Sequence, residues 1–194
     1  MKILSLIFAS LLLFSACNNH EKKVSKEIPS NSIFNLTSQW QNQNGDTLLL
    51  KNLQGKTLVV VMIYTTCKSA CPILVSKMKD IESKISRKDI NDVSLVLVSI
   101  DPETDTPPFL KKFAETRKMT EPQWVFLTSN EDNTNEFANV LSMKFKKISP
   151  VDFSHSNIIS VFNPKGQLVS QEQGLEINVD KIVEIVTKTV KENK

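Results

Sequence analysis

Two apolar runs, the unbroken Leu58-Val-Val-Val-Met-Ile-Tyr64 and the largely apolar Val93 to Ile100, dominate the hydrophobic pattern of this chain. Their apolar, β-branched content predicts buried strands, the first spanning Thr57 to Tyr64, continuous and apolar on both faces. Between them Ile73, Leu74, Met78, Ile81 and Ile85 recur at the spacing of one helical face. Pro108 to Lys118 reads as a second helix with Phe109, Leu110 and Phe113 turned inward. Trp124 to Leu127 reads as a third strand, and Asn130 to Phe145 as a helix with Phe137, Val140 and Leu141 on its apolar side. Ile158 to Phe162 and Gln167 to Ser170 flank Asn163-Pro-Lys-Gly166, a turn that makes them a hairpin. An amphipathic helix, Val179 to Val190, closes the chain. Near the start, Asn44-Gly45-Asp46 predicts a turn joining Leu48-Leu-Leu50 to the Phe34 to Leu36 region as a small hairpin. Alternating strands and helices followed by a hairpin and a last helix predict an α/β fold. Its mixed central sheet would be flanked by helices.

The first residues follow another pattern. Lys2 precedes an apolar stretch from Ile3 to Phe14, shorter than the roughly 18 residues a membrane-spanning helix needs. Phe14-Ser-Ala-Cys17 then resembles a bacterial lipobox, in which the cysteine is lipidated and becomes the first residue; Phe14 stands where Leu is usual. The expected organisation is a signal peptide over 1–16, a lipidated Cys17 with a flexible polar tether over 17–32, and one domain over 33–194. The protein is then expected to be a membrane-anchored bacterial lipoprotein whose domain faces the periplasm or extracytoplasmic space. With 24 basic and 21 acidic residues and no basic stripe, nucleic acid is not an expected partner.

Cysteine chemistry sharpens this picture. Of three cysteines, removing Cys17 leaves Cys67 and Cys71, at the junction between the first central strand and the first helix. A thiol at a helix N-terminus ionises readily, and a thiolate is both a nucleophile for disulfide exchange and a ligand for soft metals. A bridge closing so small a loop would add little stability. A dithiol at this point in the element order is the thioredoxin-type arrangement. His155, the only histidine of the expected domain, lies in the loop before the Ile158 strand, which that order puts beside the dithiol. Two thiolates and an imidazole suit copper, whereas a structural zinc site needs four ligands.

Cys67-x-x-x-Cys71-Pro72, the segment Val98-Ser-Ile-Asp101-Pro-Glu-Thr-Asp105-Thr-Pro107, and His155-Ser156 ahead of an Ile-Ser-Val-Phe strand resemble the Sco/SenC copper-chaperone proteins. The resemblance runs from about Phe34 to Val190. It implies a thioredoxin-like fold and one copper ion, Cu(I) or Cu(II), held by Cys67, Cys71 and His155. It also implies delivery to a respiratory copper enzyme, with subunit II of cytochrome c oxidase as the expected recipient. Thr104 stands where the family commonly has a basic residue. Asp101 matches an aspartate near the metal in that family; a turn-former before Pro102 is the alternative. Asp105 reads as an N-cap or early-turn carboxylate for the following helix.

The competing reading is a thiol–disulfide oxidoreductase that reduces the cysteines of a target copper-site protein, using Cys67 and Cys71 as a redox-active pair. Against it stand the three-residue gap between the cysteines and His155 where thioredoxins carry a cis-proline. Because the cysteines must be reduced to bind metal, an extracytoplasmic thiol reductase is a further expected partner. A peroxiredoxin is disfavoured by Val60 and Tyr64, which occupy positions where that pattern has proline and threonine. Trp40, Trp124 and Met78 read as core, Tyr64 as core or a wall of the site, and His20 as a solvated tether residue.

Overall fold

The two apolar runs become neighbouring parallel strands at the centre of a seven-stranded sheet in the computed structural model, which describes residues 28–150 and 152–194. An opening hairpin pairs β1 (Gln39–Asn42) with β2 (Thr47–Leu49). It is followed by β3 (Thr57–Ile63), α1 (Ala70–Lys84), β4 (Val93–Ser99), α2 (Pro107–Thr116), β5 (Trp124–Thr128) and α3 (Glu131–Val140). A separate small hairpin, β6 (Phe145–Ser149) and β7 (Asp152–His155), precedes β8 (Ile158–Phe162), β9 (Leu168–Gln173) and α4 (Val179–Glu192). The sheet order is β2-β1-β5-β4-β3-β8-β9. β3, β4 and β5 run parallel, which requires crossovers, here α1 and α2. β8 lies antiparallel to β3 and β1 antiparallel to β5, so the sheet is mixed as expected. Every residue of β3 and β4 is buried, so both faces of the sheet are covered. α1 packs beside α4, while Trp40 of β1 meets Phe137 of α3 edge-on at 5.6 Å.

Four expectations change. Ile33–Asn35 is a single 3-10 turn, capped by the Ser32 hydroxyl, and the strand facing Leu48 is Gln39–Asn42. Trp40 is the only large apolar residue of that strand, so no alternation marked it. The third helix ends at Val140 because Ser142 takes a left-handed conformation (φ 53°) and Met143 N–H closes back on Ala138. The residues beyond it form β6 and β7, so His155 ends a strand and is not in an irregular loop. Finally, Ile73, Phe109 and Val140 are exposed, each one residue off the stripe that its helix buries.

The expected signal peptide, Cys17, His20 and the tether up to residue 27 lie outside the described residues. Ser32, at the end of the expected tether, is buried and donates to the Lys165 carbonyl at 2.6 Å. Among the described residues no helix is long and apolar enough to cross a membrane.

The ends of β3 and β4 fall at one pole of the sheet. There the loop after β3, carrying Cys67, lies against the loop after β4, where Ile100 N–H bonds the Ile63 carbonyl at 2.9 Å. The carboxyl ends of parallel strands are the usual place for a ligand in such sheets.

Candidate metal centre

Cys67 sits in the turn between β3 and α1, its N–H bonded to the Tyr64 carbonyl at 3.3 Å. Cys71 is the second residue of α1. Ser69, the residue capping this helix, offers no side-chain cap. The Cys67 sulfur takes that role, accepting the Cys71 N–H at 3.4 Å. Both thiols are free and buried, Cys67 at 7% and Cys71 at 2% exposure. From the other side comes His155, at the end of β7. Its Nε2 lies 3.5 Å from the Cys71 sulfur. Its Nδ1 lies 3.2 Å from the Ser156 carbonyl, which favours the proton on Nδ1 and a lone pair on Nε2 facing the sulfurs.

The three ligand atoms lie within 4.8 Å of one another, the only such group of metal-ligating side chains among the described residues. Two metal–thiolate bonds of about 2.3 Å hold their sulfurs at most about 4.6 Å apart, so the cluster needs only small adjustment to close on an ion. Soft sulfur and imidazole in a three-ligand set fit copper and leave a coordination position free. The geometry therefore brings together all three residues named from the sequence. His155 already stands at the cysteines, so no approach from a distant segment is needed. A shallow hollow of about 260 Å³, lined by Lys144, Lys146, Ser154, Ser156 and His155 itself, opens the histidine side to solvent.

The two thiols differ electrostatically. Burial pushes Cys67 up, but the N–H groups of Cys71 and Ser69 and the Cys71 and Tyr64 side chains outweigh it and bring the thiol down to about 6. Burial pushes Cys71 far up, reinforced by the neighbouring Cys67 and Asp105 charges. Alkylation of Cys67 in the reduced, copper-free chain is therefore expected to rise with pH through a midpoint near 6 and level off by neutrality. Cys71 should stay unmodified there. Mass mapping of iodoacetamide adducts across pH checks this, and a Cys67 midpoint near 9, its ordinary value, would contradict it.

Asp101 does not join the cluster. It is 2% exposed, its backbone carbonyl receives Thr104 and Asp105 N–H, and its side chain lines a different cleft of about 390 Å³. Asp105 is not a helix cap. Thr106 precedes α2, whereas the fully buried Asp105 carboxylate accepts Thr65 N–H at 3.1 Å, Thr65 Oγ1 at 2.5 Å and Ser99 Oγ at 2.6 Å. It bolts the cysteine loop to the end of β4. Burial holds its carboxyl above the usual range despite these donors.

Tyr64 proves to be a wall of the site. Its ring meets His155 edge-on at 5.9 Å and Phe153 at 5.1 Å, and its hydroxyl donates to Asp152. Burial, then Asp152, raises the hydroxyl's pKa, so it stays a donor at neutral pH. Asp152 carried no sequence signal, being one acid in a polar segment.

Comparison with known proteins bears on this centre. The SCO1/SenC family model matches residues 25–191. A SCO1 protein homolog of Bacillus subtilis is 33% identical over 141 residues, 71% of this chain and 72% of that protein. The solved structure of BsSco, described as having a disulfide switch and as a member of the Sco family of cytochrome c oxidase assembly proteins, superposes with a TM-score of 0.69. It is 29% identical and the match covers 79% of this chain and 91% of that one. Arabidopsis thaliana ScoI, solved with copper bound, matches with a TM-score of 0.67 at 21% identity, covering 80% of this chain and 96% of that one.

Proposed function

Since the chain belongs to the SCO1/SenC family, we propose that it is an extracytoplasmic copper metallochaperone, with subunit II of cytochrome c oxidase as its recipient. The observation that carries this reading is the convergence of Cys67, Cys71 and His155 atoms within 4.8 Å. Copper here is cargo. Two sulfurs and one imidazole bind it well enough to carry, and the open coordination position lets a recipient cysteine begin ligand exchange. The copper-bound relative and the oxidase-assembly relative support both halves of the reading. Anchoring through a lipidated Cys17 would hold the carrier at the membrane where such a recipient resides. A thiol reductase outside the cytoplasm would keep the pair reduced.

Copper titration of the reduced soluble chain tests the proposal. One copper ion per chain is expected to survive desalting, with loss of both free thiols to a thiol reagent. Metal-loaded protein should then pass its copper to the reduced soluble domain of the recipient. Absence of retained copper, or copper retained with both thiols still freely reactive, would defeat the reading.

A second reading has its own observation. A low-pKa Cys67 beside a protonated, more deeply buried Cys71 is also the asymmetry of a dithiol that attacks a disulfide and then resolves the mixed intermediate. His155 separates the two.

A further inference from the structure

We propose that Tyr64 and Asp152 are positioning residues that hold the β6–β7 hairpin against the body of the protein and so keep His155 over the cysteines. This rests on His155 being a copper ligand. β6 and β7 pair only with each other and take no part in the seven-stranded sheet. An isolated two-stranded hairpin is marginal on its own, so its attachments decide where His155 stands. The register places Asp152 and His155 at opposite ends of β7, opposite Ser149 and Phe145. The His155 end is tied by Ser156 N–H to the Lys144 carbonyl at 2.8 Å and by the chain's entry into β8. The Asp152 end carries a tie to the strand that precedes the cysteines.

Tyr64 supplies it. The residue is buried, directly follows β3, and its carbonyl already holds the Cys67 N–H. Its hydroxyl donates to Asp152 Oδ1 and accepts the Phe153 N–H at 3.3 Å. One residue thus touches the cysteine turn through its backbone carbonyl, the hairpin through its hydroxyl, and the His155 ring through its own ring. A further polar attachment, Lys147 to Glu103 at 2.7 Å, joins two exposed side chains. Such surface pairs contribute little. Phe145 and Phe153 are only partly buried and give adhesion without fixing the register.

Copper(I) affinity, measured by competition with a chromogenic chelator, tests the tie. Tyr64→Phe keeps the ring and removes only the hydroxyl; Asp152→Ala removes the acceptor from an exposed position. Each is expected to weaken binding about 10–100-fold, as loss of a group orienting a metal ligand does. Asp152→Asn, whose amide oxygen still accepts, should recover most of the affinity. In a His155→Ala background, Asp152→Ala, which leaves the Tyr64 hydroxyl in place beside Cys67, should cost nothing further, because the tie acts only through that imidazole. Without metal, amide exchange over 145–155 should quicken in Tyr64→Phe while α4 keeps its protection. That exchange also verifies that the variant folds. An equal loss with and without His155, or unchanged affinity where His155→Ala alone weakens binding, would overturn the tie. Unchanged affinity in His155→Ala itself would overturn the copper-site reading beneath it.

Discussion

Oxidation of the reduced chain to a Cys67–Cys71 disulfide is expected to abolish copper binding. The two sulfurs already share a cluster no wider than 4.8 Å, and a disulfide bond draws them to about 2.0 Å while consuming both thiolates. A disulfide sulfur carries no charge and is a poor ligand, which leaves one imidazole for the ion. A single histidine side chain in a pocket open to water does not hold copper against a competing chelator. Cys67→Ser and Cys71→Ser should each produce a loss of at least about 100-fold, because a hydroxyl is a hard, neutral donor in place of a soft anion. Restoring binding by reduction of the wild type, but not of either serine variant, completes the test. Copper bound equally by oxidised and reduced protein would put the ligands elsewhere.

The same arithmetic makes copper loading a redox event. Cys67 is anionic at neutral pH because helix N–H groups face it, so it is the sulfur poised to meet either a metal or a disulfide. Cys71 keeps its proton until a ligand displaces it, because burial disfavours its charge. Oxidant and copper therefore compete for one pair of atoms.

How far this centre could be read from sequence depends on how each residue signals itself. Cys67 and Cys71 were legible because two thiols after a buried strand have few other uses. β3 and β4 were legible because β3 is apolar without a break after Thr57 and β4 places four consecutive apolar residues, Leu95 to Val98, at its centre. The hairpin carrying His155 was not. Phe137, Leu141 and Phe145 fall four apart and extend the helical stripe past Ser142, whose left-handed backbone ends the helix without a glycine to announce it. Lys146, Lys147, Ser149 and Ser154 then give the hairpin a polar face with no clear alternation. Asp105 looked like a helix cap because Thr106-Pro107 follows it; its burial depends on Thr65 and Ser99, which only the folded loops bring near. Asp152 is invisible for the same reason, since its partner Tyr64 is 88 residues away.

His155→Ala distinguishes copper delivery from thiol exchange, because an imidazole completes the metal set but is dispensable for a dithiol attacking a disulfide. With Nε2 3.5 Å from the Cys71 sulfur, removing the ring deletes one of three ligands and leaves both thiols in place. Copper affinity should fall by at least about 100-fold, more than the loss of a mere orienting partner. The rate at which the reduced chain opens a model disulfide should change only a few-fold, since backbone N–H groups dominate the lowering of the Cys67 pKa and His155 is not among its causes. In cells at limiting copper, a metallochaperone predicts that His155→Ala reproduces the oxidase-assembly defect of the Cys67→Ser, Cys71→Ser double variant, with partial rescue by added copper. A thiol reductase predicts that His155→Ala supports assembly while the double-cysteine variant fails. Full assembly by His155→Ala at limiting copper, together with intact disulfide exchange, would transfer the function from the metal to the thiols.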